Sequence, residues 1–226
     1  MTFSLILRDP ATGEFGSAIS SSSPAVAARC INLADGVGGA HSQNVTDPRL
    51  GSQLLDRLRA GDAAQEALAS VVASADPESI DYRQLLVLDA EGRAATFSGG
   101  RALGVFGAAT RENAVAGGNM LASLDVLDAL VDTALSGTGR IEERLLAALQ
   151  AARDAGGEAG PVHSAGISVV SDAGWRITDL RVDWKDEDPI GELARVLDQW
   201  LPQRDDYVHR GINPTAAPAY GVPGDE

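Results

Sequence analysis

Cysteine occurs once in the 226 residues, at Cys30, and a single thiol excludes an intrachain disulfide framework. A chain of this length buries enough core to fold without one. Histidine is also scarce: only His41, His163 and His209 are present, none at paired i, i+4 spacing, and Cys30 has no partner for a zinc site. No metal is expected. Basic charge is short, with 18 Lys and Arg against 32 Asp and Glu. The formal net charge of −14 argues against nucleic acid or an anionic membrane as partner. Long apolar runs are missing too. Nothing approaches the ~20 residues of a membrane span, and Arg8 and Asp9 interrupt the first apolar run too early for a secretory signal. A soluble, cytoplasmic protein is expected. There is no Walker motif, and the Gly36-Val37-Gly38-Gly39 run lacks the strand–helix context of a dinucleotide fingerprint, so no cofactor is expected.

What is present alternates between strand pairs and helix pairs. Residues 3–8 and 14–21 read as strands, and Asp9-Pro10-Ala11-Thr12-Gly13 between them has hairpin turn chemistry. The glycine-rich stretch from Gly36 to Ala40 leads into another strand at His41. Asp47-Pro48 combines an N-cap with proline at the first helical position, and Leu50, Leu54, Leu55 and Leu58 follow at helical spacing. A second helix restarts at Gly61-Asp62. Residues 84–89 and 93–98 form a hairpin, with strands continuing to about Gly117. Helices are expected over about 121–136 and 139–154, strands over 163–171 and 175–182, and a last helix behind Asp188-Pro189. This order predicts one mixed layered domain over residues 1–201. Residues 202–226 carry proline, glycine and charge without an apolar period, which predicts an extended tail, disordered or laid over a neighbouring subunit of a homo-oligomer, a dimer or higher.

The chemistry begins at the start of the chain. Thr2 stands directly behind Met1. A small second residue favours removal of Met1, which would leave Thr2 with a free α-amine titrating near ~7.7–8.0. A threonine hydroxyl is a weak nucleophile unless a base adjoins it, and an N-terminal threonine carries its own. The same residue also suits an ordinary strand start.

Five collinear blocks lift the first alternative: TFSLILRDPATGEFGSAIS, DGVGGAHSQNVTDPRLGSQLLDRLRAG, YRQLLVLDAEGRAATFSG, AVAGGNMLAS, and ERLLAALQAARDAGGEAGPVHSAGISVV with TDLRVD. Together, from residue 2 to about 183, they resemble a bacterial family of unassigned function placed among the Ntn (N-terminal nucleophile) hydrolase-like folds. The resemblance implies an α+β fold, a four-layered αββα sandwich of the proteasome-subunit type, and hydrolysis of an amide-type C–N bond in a small molecule. One departure stands out. Where members of the family usually carry Ser-Lys after the second strand, this chain reads Ser21-Ser22-Ser23-Pro24. A neutral Ser22 in place of a lysine motivates the alternative of a catalytically silent binding or assembly protein.

On the enzymatic reading Thr2 is the nucleophile. Gly118 and Asn119, in a Gly117-Gly118-Asn119 turn, supply oxyanion donors, unless Asn119 only caps a helix from Met120. Asp9 orients the amine or forms an Asx turn, and Ser21 holds the amine or relays its proton. The likeness extends through His41 and Gln43, which are expected to line the pocket. Arg83 is a candidate for a substrate carboxylate, and Ser164 for support of the site. A hydrolase built on Cys30 is the weakest alternative, since a lone buried cysteine is commonly a small hydrophobe.

Overall fold

The structure, a computed structural model, describes residues 1–222. Strands β1 (Thr2–Arg8) and β2 (Phe15–Ser21) form the expected hairpin, closed by Asp9 Oδ1 accepting the Ala11 N–H and by Gly13 at φ 78°. A short helix α1 (Val26–Cys30) leads into β3 (Ile31–Ala34) and β4 (Gly38–Asn44). Helix α2 (Pro48–Arg59) starts as the sequence predicts, with Asp47 accepting the Arg49 N–H and Pro48 inside the first turn. Next come α3 (Ala64–Ser74), a one-turn α4 (Pro77–Ile80), and the four strands β5 (Arg83–Asp89), β6 (Ala94–Ser98), β7 (Gly107–Arg111) and β8 (Ala114–Asn119). Helices α5 (Asp125–Ser136) and α6 (Ile141–Asp154) precede β9 (Ser164–Val170), β10 (Arg176–Val182) and α7 (Pro189–Trp200).

The strands assemble into two antiparallel sheets. One has the order β10-β9-β2-β1-β8-β7 and the other β3-β4-β5-β6. Phe3, Leu5 and Leu7 on one face of β1 pack with Val126, Leu130, Leu145 and Leu149 of α5 and α6. On the smaller sheet, Leu85 and Val87 pack with Leu54, Leu58, Leu68 and Val71 of α2 and α3. The opposite faces of the two sheets meet through Ile6, Phe15, Leu86, Leu88, Val115 and Val170. This is the four-layered αββα sandwich. Each fully buried Leu, Ile or Phe contributes about 1.5–3 kcal/mol, and β1 is covered on both faces.

The structure differs from the sequence-based expectation after Leu201. There an eighth helix, α8 (Arg204–Ile212), lies on its own chain rather than running as an extended tail. It is held by polar contacts, which is why no apolar period announces it. Arg204 donates to Glu142 at 2.8 Å and to Glu14 at 2.5 Å, while Tyr207 stacks on Trp200. Residues 223–226 of the expected tail lie outside the described residues. The Gly117-Gly118-Asn119 segment is also not a turn. It ends β8, and the helix that follows starts at Asp125, so Asn119 caps nothing.

Candidate active site

Thr2 is the first residue of β1, paired across the ladder with Asn119 and 5% exposed. Strand alternation turns Thr2, Ser4 and Ile6 to the opposite sheet, and likewise Ser17, Ile19 and Ser21 on β2. The Thr2 hydroxyl donates to the Met1 carbonyl at 2.5 Å and lies 3.4 Å from Ser21 Oγ. The Ser21 hydroxyl donates to the same Met1 oxygen. With that proton committed, Ser23 is the donor in the 2.9 Å Ser21–Ser23 contact, and its backbone N–H adds a second bond to Ser21 Oγ at 3.1 Å. Ser164 supports this segment by donating to the Ser23 carbonyl at 2.6 Å and accepting the Val26 N–H at 3.4 Å.

Glu158 forms the other wall. Gly156 and Gly157, both at positive φ, turn the chain out of α6, and Glu158 then bridges Leu121. Its two carboxylate oxygens each accept the Ser22 N–H at 3.2 Å. Burial pushes this carboxyl up to about 7, against the pull of the Met1 amino group. Sequence reasoning missed Glu158. Its signal was an acid directly behind two adjacent glycines that force a backbone turn.

A chain of buried polar groups runs from this site between the sheets. Ser17 Oγ lies 2.6 Å from His41 Nε2, and His41 Nδ1 lies 2.9 Å from Ser4 Oγ. Ser4 donates to Gln43 Oε1 at 2.7 Å, and Gln43 Nε2 donates to Gln84 Oε1 at 2.8 Å. Since the Ser4 proton goes to Gln43, His41 must donate from Nδ1 and accept from Ser17 at Nε2. Burial keeps that ring neutral, lowering its pKa to about 3. Gln84 closes the chain. Its Nε2 donates to the Gly118 carbonyl at 3.0 Å and its Oε1 accepts from Asn119 Nδ2 at 3.2 Å, fixing the strand end opposite Thr2. Asn119 Oδ1 is left buried without a partner among the described residues.

The structure thus gathers Thr2, Ser21, Gly118, Asn119 and Ser164 at one end of the inter-sheet layer. His41 and Gln43 belong to the same layer but do not line a pocket: both are fully buried, with their polar atoms spent on Ser4, Ser17 and Gln84. Asp9 is a correction. It lies beyond the far end of β1, about 23 Å from Thr2 at strand rise, where it pairs with Arg144 at 3.1 Å. Arg83 is another. It precedes Gln84, so alternation turns it to the helix-covered face, where it donates to the Val45 carbonyl beside Asp47. Cys30 is buried with its thiol pushed up to about 11, which withholds the thiolate that a nucleophile needs. The chain's one lysine, Lys185, is bonded to Glu192.

A cavity of about 660 Å³, lined by Thr12, Glu14, Asp172, Arg204 and Val208, opens at the far end of the β1–β2 hairpin, away from Thr2. Among the described residues, no three His, Cys, Asp or Glu side chains gather as a metal site, and no helix is long and apolar enough to cross a membrane.

The crystal structure of a protein from Silicibacter pomeroyi, assigned to the DUF1028 family, superposes with a TM-score of 0.85 at 30% identity, covering 92% of this chain and 90% of that one. Anbu, an ancestral beta-subunit from Yersinia bercovieri, matches with a TM-score of 0.39 at 10% identity over 89% and 95%, too slight a likeness to carry an argument. No curated protein matches the chain. The profile of the family of unknown function DUF1028 matches residues 2–193, and with the Silicibacter pomeroyi structure this places the chain in the DUF1028 family.

Proposed function

We propose that this protein is an Ntn-type hydrolase that cleaves a C–N bond in a small amide, with Thr2 as nucleophile once Met1 is removed. The observation that carries the reading is the arrangement of hydroxyls around the Met1–Thr2 peptide. The Met1 carbonyl oxygen, held by Thr2 and Ser21, stands in for the acyl oxygen of a substrate. Removing Met1 frees both hydroxyls and turns the Thr2 nitrogen into an amine on the same residue as its nucleophile. That amine takes the hydroxyl proton as Oγ1 attacks, and the Ser21 hydroxyl binds the developing oxyanion. Gly118 and Asn119 act by shaping the strand end opposite Thr2, where Gln84 clamps them. Glu158, titrating near neutral pH, serves as counter-charge to the terminal amine.

A screen of small amides against wild type and Thr2→Ala tests this. The expected result is release of product by wild type and none by the variant, with the fold unchanged. Equal turnover by Thr2→Ala would sink the mechanism. A second reading, a binding protein without turnover, draws on the neutral Ser22. Tight ligand binding with no product over long incubation would favour it.

A further inference from the structure

The proposed site has no lysine, yet a cation reaches its hydroxyls from another direction. Arg29 sits in the last turn of α1. Its Nε and Nη2 are pinned on the Pro24 carbonyl at 3.3 and 3.0 Å, and Nη2 also donates to Ser23 Oγ at 2.8 Å. In a chain with 32 acidic residues, no carboxylate among the described residues lies within ion-pair range of this guanidinium. Its charge is therefore not spent on a salt bridge. The donors line up in one direction: Arg29 N–H to Ser23 Oγ, Ser23 O–H to Ser21 Oγ, and Ser21 O–H to the Met1 carbonyl oxygen.

We propose that Arg29 is a positioning residue that supplies, through Ser23 and Ser21, the positive charge supporting the oxyanion formed on a substrate carbonyl at Thr2. This rests on the hydrolase reading above. Chained hydrogen bonds polarise one another, so a charged donor at the head strengthens the hydroxyl at the tail. The step balances without any proton leaving the relay. As the bond from Thr2 Oγ1 to the carbonyl carbon forms, the hydroxyl proton passes to the Thr2 amine and the carbonyl electron pair moves to oxygen, where Ser21 holds it. On collapse the pair returns, the C–N bond breaks, and the amine hands its proton to the leaving nitrogen.

The titratable groups facing this relay are Arg29 and Cys30 on α1, Glu158 after α6, and His163, whose backbone N–H donates to the Ser21 carbonyl. Cys30 stays a neutral thiol.

The test uses the full chain with Met1 removed and β-butyrolactone, whose ring opening at the carbonyl passes through a tetrahedral oxyanion. Intact mass and peptide mapping count adducts on Thr2. Arg29→Met and Ser23→Ala should each form the Thr2 adduct about tenfold more slowly than wild type, while Arg29→Lys recovers most of the rate. Ser23→Ala keeps the guanidinium and breaks only the relay, so it decides the matter if Arg29→Met fails to fold. Equal rates in wild type and both variants overturn the role of Arg29 but leave Thr2 as nucleophile. A rate in Arg29→Lys as low as in Arg29→Met also overturns it, because charge would not be the agent. No Thr2 adduct in wild type overturns the hydrolase reading and this inference with it.

Discussion

The two ends of the inter-sheet layer are built from opposite materials. Toward Arg8 the sheets meet through Ile6, Phe15, Leu86, Leu88, Val115 and Val170, an ordinary apolar core. From there toward Thr2 the layer turns polar: Ser17 and His41 stand level with Ile6 and Leu86 in the ladders, and Ser4, Gln43, Gln84 and Asn119 lie beyond them, all buried. A buried polar group left unpaired costs about 1–3 kcal/mol, so such a layer persists only if its members satisfy one another. Apart from Asn119 Oδ1 they do so, in one chain ending at the strand opposite Thr2. The apolar end holds the sheets together, and the polar end fixes side-chain orientation where chemistry is proposed.

Five perturbations break or sharpen this contrast. The largest effect is expected at the polar end: Thr2→Ala should lower turnover of any amide substrate by roughly a thousandfold or more, with an unchanged thermal melt. Next, Leu86→Ala should remove about 3 kcal/mol of stability in denaturant unfolding while sparing Thr2 reactivity in the residual folded protein. Gln84→Leu should destabilise comparably, by about 3 kcal/mol, but also slow acylation of Thr2, because Asn119 and Gly118 lose their clamp. If Gln84→Leu lost stability without loss of Thr2 reactivity, the two ends would merge into one ordinary core.

The fourth perturbation is pH. Glu158 is raised from 4.5 to about 7 in the folded protein, so the fold holds that proton more tightly than the unfolded chain does. Its contribution is fully present below pH 4.5 and is lost as pH rises toward 7, by roughly 3 kcal/mol. His41, lowered from 6.5 to about 3, acts with the opposite sign: its contribution is present above pH 6.5 and is lost as pH falls toward 3. The two oppose each other between pH 4.5 and 6.5. Unfolding free energies of wild type and Glu158→Gln, measured across that window, should therefore diverge, the variant gaining on wild type as pH rises. Parallel curves would show that Glu158 titrates normally. The smallest effect on Thr2 chemistry is expected at Asp9, beyond the hairpin's far end: Asp9→Asn should cost about 2 kcal/mol of stability through the lost pair with the buried Arg144 and leave Thr2 acylation intact.

The outer layers were legible in sequence because one-sided burial writes a period. Leu50, Leu54, Leu55 and Leu58 announce α2, and α6 and α7 are equally plain. Thr2 and Ser21 were legible as candidates through the position of Thr2 behind Met1 and the family resemblance, and the strand ladder brings their hydroxyls within 3.4 Å. The rest depends on register between the sheets, which no local pattern encodes. Arg83 drew the eye as a charge, while its neighbour Gln84, turned by one residue to the other face, holds Asn119 and Gly118. Arg29 lies in a helix of five residues, too short to show a period, and Glu158 reaches Thr2's end of the sheet from a loop far along the chain. Asp9 failed as a site residue for the converse reason: nearness in sequence along a strand is distance in space.

The central claim, that mature Thr2 is the nucleophile, is tested most directly by mass spectrometry of the native-start protein before and after reaction with the lactone. The account predicts a mass short of Met1 beforehand and a single adduct on Thr2 afterwards, absent in Thr2→Ala. Retention of Met1, or an adduct that persists in Thr2→Ala, would contradict it.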